Sequence, residues 1–168
     1  MIRRIIGKCA TKETKQHIID ACDSSGASLT IGGEAAINAI YSTFEAEDTN
    51  FAPLVDASNA FNSLNRAMTV HNTRILCPSV SICAINTYSE PMSLFVMGGK
   101  EPTSAEGTTQ GDPLAMSLYA IGLQPLITRL SSSRLIKQFW YVDDATCAGP
   151  LRELRKWWDV LSEMGLIA

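Results

Sequence analysis

The fold of this chain is organised around residues 139–147, which read Phe-Trp-Tyr-Val-Asp-Asp-Ala-Thr-Cys. An aromatic run with high β propensity leads into the adjacent acids Asp143 and Asp144, and small and β-branched residues lead out. This order predicts a β-hairpin with the two carboxylates at its tip. Adjacent carboxylates repel each other, so a fold keeps them together where a cation neutralises them or where water solvates them. The pair alone is therefore compatible with a metal site and with a solvated turn.

Composition indicates a soluble globular domain with its own core, because 46% of the 168 residues are hydrophobic and 18% are charged. The net charge of −3 argues against a duplex-binding surface, although an enzyme that gathers acids around metal ions lowers its own net charge. The five cysteines form no Cys-x-x-Cys pair, which favours buried free thiols in a reducing compartment over a zinc site. With no signal peptide or membrane-spanning run, we expect an intracellular, soluble protein.

A third acid follows the short apolar run from Phe51 to Val55. A run of this length between turn residues predicts a buried strand, which places Asp56 at its carboxyl end. Ligand sites in α/β folds favour that end of a strand. Phe61 follows five residues later and suits either the core or the wall of a substrate pocket.

A glycine-rich element lies between the acids, at residues 106–114, Glu-Gly-Thr-Thr-Gln-Gly-Asp-Pro-Leu. Gly107 and Gly111 allow the backbone to come close to a ligand. Asp112 and Pro113 predict the N-cap and first residue of a helix that runs to about residue 129. Gln110 stands just before this helix, where contact with a phosphate or a base is favoured. Taken alone, residues 106–114 indicate only an ordinary helix cap.

Apolar periodicity and turn residues predict the remaining elements. We expect helices over residues 2–23 (one or two helices), 33–47, 61–74, 79–88 and 151–164. The last helix is predicted to bury an apolar face that consists of Leu154, Trp157, Trp158 and Leu161. A second hairpin is predicted over residues 92–97, with its turn at residues 98–99.

If the strand that ends at Asp56 neighbours the acidic hairpin in one sheet, three carboxylates converge across about 5 Å. Hard oxygen ligands arranged in this way suit Mg²⁺. Two such ions about 3.5–4 Å apart can activate an attacking hydroxyl and stabilise a leaving pyrophosphate. The pattern therefore predicts nucleotidyl transfer.

Three segments resemble the signature motifs of reverse transcriptases. They are Tyr-Val-Asp-Asp at residues 141–144, Thr-Gln-Gly-Asp-Pro-Leu at residues 109–114 and Leu-Val-Asp-Ala-Ser-Asn-Ala-Phe-Asn at residues 54–62. Order and spacing agree over roughly residues 50–165, and three motifs in the right order are far more specific than any one of them. The Gln-Gly-Asp-Pro form and Phe61 resemble the corresponding motifs in the enzymes of retrotransposons without long terminal repeats, or in group II intron-like enzymes.

The resemblance implies an α+β (α/β) polymerase palm, in which a small antiparallel sheet packs on helices on one face, with part of the fingers and without a thumb. Residues 1–168 would form a single partial reverse transcriptase domain, with residues 1–50 as late fingers and residues 51–165 as palm. The implied activity is that of an RNA-directed DNA polymerase of a mobile element. Its implied partners are an RNA template with a DNA primer and deoxynucleoside triphosphates, and no membrane.

The resemblance also assigns roles to individual residues. Asp56 and Asp143 would hold two Mg²⁺ ions (or Mn²⁺), with Asp144 as an auxiliary ligand and the Ala57 carbonyl as a further one. The other assignments concern substrate: Phe61 would lie under the nucleotide sugar and exclude a 2′-hydroxyl, Gln110 and Gly111 would line the nucleotide and template pocket, and Tyr141 would approach the primer end.

Departures from the family pattern keep other interpretations open. Asn62 stands where the family usually has Asp, and the upstream basic residues that grip the triphosphate are missing from the matched region. The main alternative is a non-catalytic remnant or domesticated nucleic-acid-binding module that keeps the palm fold. A viral RNA replicase is disfavoured, since it typically carries Gly-Asp-Asp at the hairpin.

Overall fold

The computed structural model describes residues 2–23, 33–45, 53–95, 97–99, 101–109, 111–131, 133, 135–141 and 143–163. They form a mixed α+β fold with small antiparallel sheets, which confirms the predicted class at that level. The elements are α1 (Ile2–Glu13), α2 (Lys15–Asp23), α3 (Gly33–Phe44), β1 (Leu54–Asp56), α4 (Ala60–Ser63), α5 (Arg66–Leu76), α6 (Pro78–Tyr88), β2 (Met92–Ser93), β3 (Thr103–Ser104), α7 (Ala115–Leu130), β4 (Lys137–Tyr141), β5 (Asp144–Ala148) and α8 (Leu151–Glu163).

The chain divides into two compact units. The first unit comprises residues 1–21 and 59–122, and the second unit comprises residues 22–58 and 123–168. One boundary therefore falls inside α2 and another inside α7, between Gly122 and Leu123. The predicted division into a lead-in over residues 1–50 and a palm over residues 51–165 follows other boundaries and stays a prediction.

The second unit contains a three-stranded antiparallel sheet in the order β1-β5-β4. Its register pairs Val55 with Ala145 and Ala145 with Trp140, and all three side chains are buried on one face. Neighbouring residues point to the opposite face, and there Leu54 is 81% exposed. The expectation of a fully buried strand is therefore wrong, because a three-residue edge strand is covered on only one side.

A buried glutamine joins the elements of the second unit. The Gln138 side-chain amide donates to the carbonyl oxygen of Ile127 in α7 at 3.0 Å and to the Ser131 hydroxyl. Its carbonyl oxygen accepts from the indole N–H groups of Trp140 at 3.2 Å and Trp157 at 3.1 Å. One polar side chain thus ties β4 to α7 and α8, and buried indole donors are satisfied where no water reaches them.

Helix α8 buries a narrower face than its sequence pattern predicts. Leu154, Trp157 and Leu161 are buried, as expected, but Trp158 is 39% exposed. The buried residues follow the spacing i, i+3 and i+7, and Trp158 lies at the edge of that stripe. The prediction that Trp158 belongs to the buried face of α8 is therefore wrong.

In the first unit, α5 and α6 form an adjacent helix pair. The Asn65 side chain accepts from the backbone N–H of Met68 at 2.8 Å and so caps α5, and Pro78 lies in the first turn of α6. The predicted second hairpin is present but short: Met92 pairs with Ser104, and Ser93 pairs with Thr103. The helix predicted over residues 61–74 is divided into α4 and α5, because the backbone is extended at Leu64 and Asn65 caps a new helix.

All five cysteines are free, and three of them (Cys22, Cys77 and Cys147) are buried, as predicted. Burial raises the pKa of Cys147 to about 12, so its thiol keeps its proton at neutral pH. Cys9 departs from the expectation, since it is exposed. No helix in the described part of the chain combines the length and the hydropathy needed to cross a membrane.

Candidate functional site

The second unit brings the acidic residues together. Antiparallel pairing sets Asp56 directly opposite Asp144, at a distance of roughly 4.5–5.5 Å between Cα atoms in any antiparallel ladder. Asp143 lies in the turn before β5, and its carbonyl oxygen accepts from the backbone N–H of Ala57 at 3.4 Å. The segment after β1 is therefore bonded to the hairpin tip. The two β elements are neighbours in one sheet, which was the condition for converging carboxylates.

The charges of these acids act on each other. Burial, followed by the charges of Asp143 and Asp56, raises the pKa of Asp144. None of the ion pairs found between described residues includes any of the three acids. Their mutual repulsion is therefore not offset by a direct ion pair within the described chain, and a bound cation would relieve it.

The donor set has the chemistry that Mg²⁺ prefers, since three carboxylates supply hard, anionic oxygen atoms. Asp56 and Asp144 are exposed and Asp143 is half-buried, so all three belong to the surface of the second unit. Among the described residues, no three His, Cys, Asp or Glu side chains are already gathered in a metal-ligand arrangement. The residue types fit the ion, and the ion itself stays a prediction.

Tyr141 lies beside the acids, because the register pairs it with Asp144 on β5. It lines a cavity of about 330 Å³ together with Asp144, Leu54, Phe139 and α3 residues that include Ile37. Helix α3 thus reaches the sheet face that carries the acids, whereas the resemblance implies helices on one face only. An aromatic ring and an apolar wall border the carboxylates.

The first unit holds the other predicted site residues. The Phe61 ring lies 4.8 Å from that of Tyr119, between centroids, and the Phe61 carbonyl accepts from the backbone N–H of Thr108 at 2.7 Å. The glycine-rich element is therefore bonded to the segment that carries Phe61. Gly111 has a φ of 82°, a backbone conformation that favours glycine. Gln110 lies outside the described residues.

Gly107 is expected to tolerate no side chain. Its φ is 69°, and a Cβ atom there would overlap the backbone of Phe61 and Asn62. Gly107→Ala should lower the free energy of unfolding in urea by about 2–4 kcal/mol, from left-handed strain plus overlap. Gly111→Ala is the matched control: its φ is also positive, at 82°, but its surroundings are open. The Gly111→Ala substitution should lower the free energy of unfolding by only about 1–2 kcal/mol. Equal losses in the two variants would contradict the close approach at Gly107.

Asp112 caps the start of α7, as predicted. Its Oδ1 accepts from the backbone N–H of Leu114 at 3.0 Å, and its Oδ2 accepts from the Tyr88 hydroxyl and from Arg3, both at 2.8 Å. Burial by itself would raise the pKa of Asp112, but these hydrogen bonds and the Arg3 charge outweigh it and lower the pKa. Asp112 therefore stays ionised and holds three partners in place.

Asp56, Ala57, Asp143, Asp144 and Tyr141 belong to the second unit, and Phe61 and Gly111 belong to the first. No model of a known protein family matches the chain, and no curated protein matches it.

Sequence reasoning missed two residues that support the glycine-rich element, Arg66 and Tyr88. A weak signal existed for Arg66, which is the first residue of α5. A cation is unfavourable at a helix N-terminus, so an arginine there indicates a tertiary contact. Nothing local distinguishes Tyr88, whose partners lie 21 and 24 residues further along the chain.

Proposed function

We propose that this chain is a reverse transcriptase domain with a polymerase palm fold, which transfers deoxynucleotides onto the 3′ end of a primer paired with an RNA template. The observation that carries the proposal is the register of β1 and β5, which sets Asp56 opposite Asp144 with Asp143 beside them. Three motifs that resemble this family, in the family's order, support the same assignment. Nucleotidyl transfer by two metal ions requires carboxylates from two separate segments of the chain at one place.

Within this proposal, Asp56 and Asp143 hold Mg²⁺, and Asp144 and the Ala57 carbonyl contribute auxiliary oxygen atoms. Bound Mg²⁺ would activate the primer hydroxyl and neutralise charge on the leaving pyrophosphate. The carboxylates keep their positions because the β1–β5 ladder and the bond from Ala57 to Asp143 fix the backbone that carries them.

The resemblance assigns substrate contacts to residues of each unit. Tyr141, 44% exposed next to Asp144, is assigned to the primer end. Phe61 is assigned to the nucleotide sugar, where an aromatic ring would clash with a 2′-hydroxyl. Gln110 and Gly111 are assigned to the nucleotide and template, at the N-terminal side of α7, where backbone N–H groups favour phosphate.

The test is extension of a labelled DNA primer on an RNA template with the four deoxynucleoside triphosphates and Mg²⁺. We expect extension by the wild-type chain and a rate at least about 100-fold lower for Asp143→Asn, equivalent to about 2.7 kcal/mol of transition-state stabilisation. The matched control is Asp159→Asn, because Asp159 is exposed on α8 and pairs only with Arg155 in the ion pairs between described residues. Its rate should stay within about twofold of wild type, since an exposed pair contributes little.

Two outcomes would overturn the proposal. One is an Asp143→Asn chain that extends primers as fast as Asp159→Asn. The other is a wild-type chain that is folded by circular dichroism yet adds no nucleotide. If that chain also binds the primer–template, the alternative of a non-catalytic nucleic-acid-binding module with a palm fold replaces the polymerase.

A further inference from the structure

A single hydroxyl group bridges the glycine-rich turn of the first unit. The Tyr88 oxygen accepts from the backbone N–H of Thr109 at 3.2 Å and donates to Oδ2 of Asp112 at 2.8 Å. Thr109 and Asp112 flank Gln110 and Gly111 on either side. One side chain from α6 therefore joins the two ends of the turn, in addition to the backbone hydrogen bond from the Asp112 N–H to the Thr109 carbonyl at 3.0 Å.

Tyr88 is itself held firmly. It is 2% exposed, and the guanidinium Cζ atoms of Arg3 and Arg66 each lie 5.5 Å from the centroid of its ring. Cations near the ring attract its electron-rich face and limit its movement. Burial is the largest of the effects that raise the pKa of Tyr88, and the Asp112 carboxylate adds to it, so the hydroxyl keeps the proton that it donates.

Arg66 anchors the segment that leads into the same turn. It is 5% exposed, and its guanidinium donates to the carbonyl oxygens of Ser104, Glu106 and Gly107 at 2.7–2.9 Å and to the Ser104 hydroxyl at 2.9 Å. Its backbone N–H donates to the Glu106 carboxylate at 3.0 Å. A planar guanidinium with several fixed donors is suited to holding a loop by its carbonyl groups.

We propose that Tyr88 is a positioning residue for Thr109 and Asp112, which lie on either side of Gly111, and that it sets the affinity of this segment for the incoming nucleotide. Arg66 supports it by fixing the preceding segment. The inference rests on the proposed function, because only there does the turn bind a nucleotide. Tyr88 touches no reacting atom in this role: it acts through Thr109 and Asp112, so its loss should weaken nucleotide binding and leave the chemical step largely intact.

The test variant is Tyr88→Phe, which keeps the ring beside the two arginines and removes only the bridging oxygen. We expect the KM for deoxynucleoside triphosphate to rise about tenfold, which corresponds to about 1.4 kcal/mol, while kcat changes by less than about twofold. Tyr41→Phe is the matched control, because Tyr41 is 67% exposed on α3 and belongs to the other unit. Its KM should stay at the wild-type value.

A second readout needs no catalysis. Amide hydrogen exchange on the full chain should be at least about tenfold faster at Thr109 in Tyr88→Phe, with no change in the α5–α6 amides. An unchanged KM, a loss confined to kcat, or unchanged exchange at Thr109 would overturn the positioning role. If the wild-type chain adds no nucleotide, the proposed function fails and the nucleotide part of this inference fails with it. The exchange comparison still decides whether Tyr88 holds the turn.

Discussion

Asp56→Asn is expected to lower the rate of primer extension at least about 100-fold while leaving the free energy of unfolding unchanged or higher. Asn has nearly the same shape as Asp but carries no negative charge, so it binds Mg²⁺ much more weakly than a carboxylate does. Asp56 faces Asp144 across the β1–β5 ladder, so removing its charge also removes repulsion from the folded state. Loss of activity without loss of stability distinguishes a functional carboxylate from a structural one.

The measurement combines single-turnover extension rates with urea denaturation of the same samples at neutral pH. Asp144→Asn is the internal comparison and should lose less activity, because Asp144 is assigned an auxiliary role. An Asp56→Asn chain that keeps more than about a tenth of the wild-type rate would contradict the role of Asp56 as a principal ligand. A chain that loses both activity and stability would show that Asp56 mainly supports the strand.

Gln138→Leu is expected to destabilise the second unit by about 2–6 kcal/mol, the largest stability effect that we anticipate. Leucine fills the space but leaves the indole N–H groups of Trp140 and Trp157 without their acceptor. The carbonyl of Ile127 loses one donor but still accepts from the backbone N–H and the hydroxyl of Ser131, both at 2.9 Å. Each buried group left unsatisfied costs about 1–3 kcal/mol. Urea denaturation followed by tryptophan fluorescence measures the loss, because both indoles report on this core.

Gln16→Leu is the matched control for Gln138→Leu. Gln16 is an exposed glutamine whose amide donates to Asp20 at 2.8 Å on the surface of α2. Its replacement should change the free energy of unfolding by no more than about 0.5 kcal/mol. In a Trp157→Phe background, Gln138→Leu should cost less than in the wild type, because one donor has already been removed. Strict additivity of the two substitutions would mean that the hydrogen bond from the Trp157 indole to Gln138 contributes nothing to stability.

Local chemistry explains the parts of this structure that sequence reasoning predicted. The acidic hairpin forms because aromatic and β-branched residues flank Asp143 and Asp144, and the resulting strands β4 and β5 pair as expected. Pro78 and Asp112 mark helix starts through their own backbone and side-chain preferences. Leu54 and Trp158 are exposed against expectation because an apolar run or stripe in the sequence does not show how much of it a neighbour covers.

The candidate site was predictable in part. The three acids could be named from the sequence, and their convergence was conditional on β1 lying beside the hairpin. The supporting residues Arg66 and Tyr88 were not identified, because their roles depend on partners 21 to 41 residues away. A loop anchor of this kind leaves no periodic or capping pattern of its own.

The sequence by itself determined the hairpin, the approximate positions of the helices and the residue types of an acidic, metal-compatible site, because turns, caps and β propensity act over only a few residues. Only the tertiary structure decided that Asp56 meets Asp144, that Gln138 satisfies two indoles, and that Arg3, 109 residues from Asp112, shares its carboxylate with Tyr88. The physical reason is that a buried polar group must find a partner wherever the packed chain supplies one. The sequence around such a group does not identify that partner.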